Sequence, residues 1–427
     1  MVDPVFRRLP AERTDEYRRA VSYAFEPENG PAAAGPDDAG TDTAESGADT
    51  GDEGAGAGDD AGEAGDEPGE RYGVFVGEEL CSVCKHYDFT ARLRGEWVPL
   101  AGLAAVATPP EHRRQGYVRH AVVESLDRWR GASPLSALWP FDHGYYRQFG
   151  WATANTVVEY TCPPGALAFA RDEGTDDRRR VTDDEWATLR DAHEAHAADR
   201  ALTLRRDEAW WRRKVFRVGD DDRPFVYACE RDGRVRGYVV YTFERTGDGP
   251  GDRRIDVLDL AFADHRARLS LLAHLADHDS HVTEVVCYHE NPDLLSLTDQ
   301  PREVDCEVHA GPMVRVVDVA DALAAVPYPA GASADLTLSV TDGTAQWNDD
   351  TFRLSVADGA GECDRVDESA AAADATLDIG TLSQLVVGTH SVADARRLAD
   401  LSVTDQSVAD SLAALFPPET VYLRTFF

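Results

Sequence analysis

The chain has 427 residues, 43% of them hydrophobic, which is enough for about two to four domains with real cores. Its 78 acidic residues outnumber 43 basic ones, for a formal charge of −35, and Lys85 and Lys214 are the only lysines. A surface this short of clustered cations argues against nucleic acid as a partner. So dense an acid coat resembles proteins of salt-loving organisms such as haloarchaea, where concentrated cations screen self-repulsion.

Seven cysteines are scattered along the chain, an odd number that argues against a disulfide framework and for a reduced compartment. The first twenty residues are too charged for a signal peptide, and no 18-residue apolar run occurs. A cytoplasmic protein with no membrane association is the expectation.

In chain order, residues 5–9 read as a strand and 11–25 as an amphipathic helix. Residues 26–70 contain no Lys or Arg and little but Gly, Ala, Asp, Glu and Pro, a composition expected to form a disordered acidic insert. Three β-like runs follow, ending in WVPLAGLAAVAT, and then RQGYVRHAVVESLDRWRG with helical spacing of its apolar residues. PLSALWPF, HGYYRQFG and WATANTVVEYTC add a strand, a short helix ending at Gly150 and another strand, making a mixed α/β layer. A second unit begins after Pro163 and Pro164 and repeats helices, a hairpin, strand, helix and strand. From about Pro312 a third unit runs through DLTLSVTD, TAQWND, TFRLSVAD and ATLDIG at hairpin-like spacing and then into helices, the order of an α+β domain. The expected domains are therefore 1–163, 164–311 and 312–427.

The stretch VATPPEHRRQGYV, residues 106–118, carries the chemistry. A strand that delivers the chain into a helix start presents free N–H groups and the positive end of the helix dipole, a ready anion site. Gly116 allows close backbone approach, and Arg113, Arg114 and Arg119 with His112 and His120 invert the local field of an acidic chain. Read from charge alone, the same residues describe an ordinary surface helix start.

Arg-x-x-Gly-x after an apolar strand and a turn resembles the pyrophosphate-binding motif of GNAT acetyltransferases, with Val118 where the motif ends on a small residue. Together with YYRQFGWATA, it resembles the Eis (enhanced intracellular survival) acetyltransferases over the whole chain. The resemblance implies tandem GNAT-like domains followed by a sterol carrier protein-like α+β domain, with the acidic insert as a departure. It implies acetyl-CoA as co-substrate, a primary amine as acceptor, no metal, and homo-oligomeric, hexameric assembly. By position it assigns the acyl carbonyl and pantetheine arm to the backbone of Val106, Ala107 and Thr108. The pyrophosphate goes to Arg114, Gln115, Gly116, Tyr117, Val118 and Arg119 with Arg113 beside them, and the pantetheine end to Phe141 and Asp142. Tyr146 falls at the general acid and the carboxylate of Phe427 at the base. Two plainer readings stand beside these: Tyr146 as a packing aromatic, with Tyr145 one position away, and VYLRTFF as a terminal strand closing a core.

In the second unit, the corresponding turn reads AFADHRARL, with no glycine and with Asp264 at the helix start, so a single CoA site per chain is expected. Cys81 and Cys84 with His86 look like half a metal site without a second ligand pair, and His274, His278 and His281 like a solvated helix face. Trp210 and Trp211 read as core, or as an aromatic wall for a cationic amine. Two other functions remain compatible with the sequence: a non-catalytic acyl-CoA or lipid-binding protein working through its last domain, and transfer of a longer acyl chain, as in N-myristoyltransferases.

Overall fold

A computed structural model describes residues 3–25, 68–217, 223–247, 249, 251–367 and 372–427. Most of the acidic insert expected over 26–70 lies outside the described residues, and the strand after it begins at Glu70.

The first sheet takes β1 (Val5–Arg8), β2 (Glu70–Val76), β3 (Glu79–Leu93), β4 (Glu96–Ala107), β5 (Leu135–Leu138) and β6 (Ala152–Thr153). The second takes β7 (Thr156–Cys162), β8 (Asp177–Arg180), β9 (Phe225–Arg231), β10 (Arg234–Arg245), β11 (Arg253–Phe262), β12 (Glu284–His289) and β13 (Asp305–Ala310). After it, β14 (Met313–Val316) returns to the first sheet and lies antiparallel between β5 and β6. The third sheet holds β15 (Ala334–Thr341), β16 (Asp350–Ala357), β17 (Ala360–Val366), β18 (Ala375–Asp378) and β19 (Leu401–Val403).

By sheet membership the chain therefore changes unit at 154–155 and returns at 311–312. The two crossings run side by side: Ala154 N donates to Pro312 O at 2.8 Å and Gly311 N to Asn155 O at 3.0 Å. A β-carbon at Gly311 would stand 2.6 Å from Asn155 O, so only glycine permits the approach. WATANTVVEYTC, read as one strand, is split here into β6 and β7 in different sheets. Periodicity cannot reveal such a break, because it follows from partners far away in sequence.

Helix α1 (Thr14–Phe25) covers one part of the first sheet, and α2 (Tyr117–Trp129) another. Helix α2 buries Ala121, Val122, Ser125, Leu126 and Trp129, one stripe at helical spacing. One core is shared by the first and third units: Leu100, Leu135 and Val314 pack in the same cluster as Leu336, Leu354 and Leu382. TAQWND, expected as a strand, is instead a loop between β15 and β16. Asp342 and Asn348 turn it inward, and their side chains take main-chain and side-chain partners in place of a ladder.

Candidate active site

Strand β4 runs antiparallel to β3 from Glu96 to Ala104 and is then interrupted by a bulge, where Ala105 and Val106 together stand opposite Cys84. Ala105 takes the left-handed region at φ 47°. On its other side β4 pairs in parallel with β5 only at Leu100, Ala101 and Gly102. Beyond Gly102 the two parallel strands part, leaving a free edge on β4 through Val106 and Ala107. Thr108 follows, its hydroxyl 2.8 Å from Ser82 Oγ and its carbonyl accepting from Arg113 Nε at 3.0 Å.

The turn into α2 is built by two left-handed residues, Arg114 at φ 60° and Gly116 at φ 85°. Gly116 is the N-cap and supplies no side chain, no acidic residue stands in the first turn, and a β-carbon added to Gly116 would meet nothing within 4 Å. The first amides of α2 thus lack a side-chain cap, which is what an anion site requires. Arg113, Arg114 and Gln115 are exposed around the turn, with Gln115 Nε2 donating to Glu111 O at 3.0 Å and Tyr117 OH to Gln115 Oε1 at 3.2 Å. Val118 is half-buried against the core. Arg119 lies over the Phe149 ring, 5.4 Å from its centroid, and reaches Gly343 O at 3.4 Å in the third unit.

The second unit has the opposite arrangement at its matching helix, His265–Ala276. Asp264 caps it, Oδ1 accepting from Ala267 N at 3.0 Å and Oδ2 from Arg236 at 2.8 Å and from Arg231. Burial would raise this carboxyl, but hydrogen bonds from Arg236, Ala267 and Arg231 outweigh it and hold the group down at about 2. The chain's own carboxylate occupies the place of an anion.

Helix α3 (His143–Arg147) follows β5 at the point where β4 and β5 part. Asp142 caps it, accepting from Tyr145 N at 2.9 Å, and so serves the helix through its side chain. Phe141 is 57% exposed and meets the rings of Tyr145 and Tyr146. Tyr146 is 4% exposed, and its hydroxyl has no hydrogen-bond partner among the described residues. Burial, then the neighbouring Tyr145 and Cys84, push its phenol above the ordinary value near 10. Tyr145 is shifted upward by burial as well and is the more exposed of the two.

The C-terminal segment docks beside this opening. The ring of Phe427 lies against Phe89 and Tyr87, at centroid distances of 4.7 and 5.7 Å, and Trp210 stands edge-on to the same pair. Trp139, just after β5, donates from Nε1 to Thr425 O at 3.0 Å, and Arg206 Nη2 reaches Thr425 Oγ1 at 3.0 Å. Arg206 is itself held by Asp259 and Tyr238, and His193 bonds Tyr238 OH at 3.1 Å. Upstream, Leu423 N donates to Asn155 Oδ1 at 3.0 Å and Tyr422 N to Ala201 O at 2.9 Å. The tail is fastened by the first unit, the second unit and the crossing between them.

The structure thus brings β4's bulge, the start of α2, Tyr146 and Phe427 to the end of the first sheet where β4 and β5 separate. Trp139, Arg206 and Thr425 carried no local signal. Gly102 did, since a glycine within a strand marks close approach by another group. Trp211 is fully buried core, whereas Trp210 belongs to the wall beside Phe427. His274 and His278 share the Tyr241 hydroxyl at 3.2 and 3.1 Å.

Residues 5–154 and 202–316 each match an acetyltransferase (GNAT) domain family, and residues 319–424 match the sterol carrier protein domain family. N-acetyltransferase Eis of Mycobacterium bovis is 36% identical over 93 residues, 21% of this chain and 23% of that relative. The aligned stretch is thus about a quarter of the curated relative's length. Among solved structures, a GCN5-related N-acetyltransferase from Anabaena variabilis superposes with a TM-score of 0.79 at 20% identity, and Eis1 from Mycobacterium abscessus with 0.74 at 22%, each covering all of both chains. At those identities the likeness is one of fold, which here extends over all three units. The chain is therefore built from two GNAT acetyltransferase domains followed by a sterol carrier protein domain, and over its matched stretch it is homologous to the Eis N-acetyltransferases.

Proposed function

We propose that the protein is an acetyltransferase that moves an acetyl group from acetyl-CoA to a primary amine at the first GNAT domain. The observation that carries this reading is the uncapped first turn of α2 beside the point where β4 and β5 part, with Tyr146 and Phe427 at that same opening. Bound acetyl-CoA supplies an activated acyl thioester. The chain's part is to bind it, orient the amine and move two protons.

The amides opening α2, with Arg113 and Arg114, suit the pyrophosphate. The free edge of β4 over Val106–Thr108 suits an extended pantetheine arm and the acyl carbonyl. The terminal carboxylate of Phe427 would take a proton from the ammonium of the acceptor. The amine nitrogen then bonds to the acetyl carbon, the carbon–sulfur bond breaks, and Tyr146 gives its hydroxyl proton to the departing thiolate; the second proton that the nitrogen sheds on becoming an amide restores the Tyr146 phenol. Burial that raises the Tyr146 phenol keeps that proton in place at working pH, and a thiolate released into the same apolar surroundings is a stronger base than one in water. Apolar surroundings such as Tyr87, Phe89 and Trp210 likewise favour the protonated form of a carboxyl, strengthening the base.

The test is release of free thiol from acetyl-CoA in high salt with a panel of amines, for the parent, Tyr146→Phe and a chain lacking Phe427. Both variants should lose turnover and keep CoA affinity. A parent that binds CoA and releases no thiol with any amine would favour a binding protein. Preference for long-chain acyl-CoAs in competition would favour longer-chain transfer. Cytoplasmic location, a high-salt habitat and hexameric assembly belong to the same reading; among the described residues no helix is long and apolar enough to cross a membrane.

A further inference from the structure

We propose that Arg315 and Asp342 are positioning residues for acetyl transfer: an ion pair reaching from the sterol carrier protein domain holds the turn that carries Tyr146. The inference rests on the role given to Tyr146 above.

Arg315 lies on β14, the strand returning from the second unit, and Asp342 on the loop between β15 and β16. Their side chains are 0% and 1% exposed. One guanidinium nitrogen bonds the Phe149 carbonyl and the other bonds Asp342. Phe149 belongs to a turn folded on Tyr146 itself, since Phe149 N and Trp151 N both donate to Tyr146 O, at 3.0 and 3.3 Å. Whatever fixes that turn fixes the main chain of Tyr146. Trp151 closes the arrangement, its ring 5.4 Å from the Arg315 guanidinium and edge-on to Tyr146 at 6.4 Å.

Gly150 shows that the approach is built in. It sits at φ 87°, and a β-carbon there would collide with Arg315 Nη1. Asp342 is equally committed, its Oδ1 accepting from Thr344 N at 2.9 Å and Ala345 N at 3.1 Å and its Oδ2 from Asn348 Nδ2 at 3.1 Å. The same loop touches α2 and the residue that follows it: Gly343 O accepts from Arg119, and Trp347 lies under the Arg130 guanidinium at 4.7 Å. One loop of the last domain therefore meets the helix assigned to the pyrophosphate directly and the turn assigned to the acid through Arg315. A fully buried ion pair is a poor source of stability, because removing two charges from water offsets most of their attraction. A planar fork of donors, by contrast, can fix a carbonyl and a carboxylate at once.

The experiment compares Arg315→Lys, the double variant Arg315→Met with Asp342→Leu, and Tyr146→Phe against the full-length parent, reading thermal melting, CoA affinity by titration, and kcat and KM for both substrates. The double variant removes both charges, so no lone buried ion is left. Arg315→Lys keeps the charge but cannot reach both partners, and it carries the test if the double variant does not fold. The expected result is a loss of kcat of about tenfold or more in both Arg315 variants, with CoA affinity and both KM values within about twofold of the parent. Parental kcat in a folded Arg315 variant, or a loss that only tracks the folded fraction, overturns the inference. Parental kcat in Tyr146→Phe removes the reading beneath it, so the two failures are told apart.

Discussion

The ring of Phe427 rests on the backbone of Gly102: a β-carbon on that glycine would stand 2.9 Å from Phe427 Cε2 and 2.7 Å from Phe89 Cε2. The last residue of the chain is thus seated on the last pair at which β4 still touches β5. Gly102→Ala should push the ring away. Overpacking of this kind costs about 1–3 kcal/mol, and kcat should fall about tenfold while CoA affinity is kept. Denaturant melts and steady-state kinetics on the same preparation check both.

Thr425 ties the tail to the second unit through Arg206 Nη2. Thr425→Val takes the partner from Nη2 of a buried guanidinium whose Nε already lacks one, at about 1–3 kcal/mol. The expected kinetic signature is a lower kcat with unchanged KM for acetyl-CoA. An unchanged kcat would show that the tail needs no help from Arg206.

At the mouth of α2, charge and backbone shape separate. Gly116→Ala forces a side chain into φ 85° and should cost about 1–2 kcal/mol as well as CoA affinity. Arg114→Gln keeps the turn and removes one exposed charge, so stability should hold while CoA binding weakens and becomes less sensitive to added salt. Titrations of CoA at several salt concentrations distinguish the two.

Those titrations should saturate at one CoA per chain. Asp264 already fills the helix start in the second unit with its own carboxylate, paired to Arg231 and Arg236. A stoichiometry of two would contradict the contrast between the two helix starts.

Acid should loosen the tail's anchor. Burial, followed by repulsion from Arg206, lowers His193 to about 4, below its value near 6.5 in the unfolded chain. Between those limits the unfolded state binds the extra proton, so stability falls as pH drops from about 6.5 to 4 and is fully present above 6.5. The window is worth on the order of 3 kcal/mol at this fully buried site. His193→Asn should flatten the dependence there, read as the midpoint of urea unfolding against pH.

Much of the first domain was legible because its signals are local. The apolar stripe of α2 repeats within four residues, Gly116 sits at a left-handed position, and Asp264 announces the filled turn in the second unit. TAQWND misled for a physical reason. Its alternation resembles a strand, but Asp342 and Asn348 find buried partners on β14 and at its end, and that satisfies the loop better than a ladder would. Likewise, nothing in WATANTVVEYTC announces that Asn155 divides two sheets, since its partners Gly311 and Leu423 come much later in the chain.

By itself the sequence determined most element types in the first domain, the glycine-led turn into α2 and which of two helix starts lacks an acidic cap, since each depends on residues within a turn or two of one another. Only the tertiary structure decided that a strand from beyond the second unit completes the first sheet, that the tail is pinned from three directions, and that Arg315 joins a loop of the last domain to the turn beneath Tyr146. Those outcomes depend on burial and close packing between distant segments, where the identity of a residue says little until its neighbour is known.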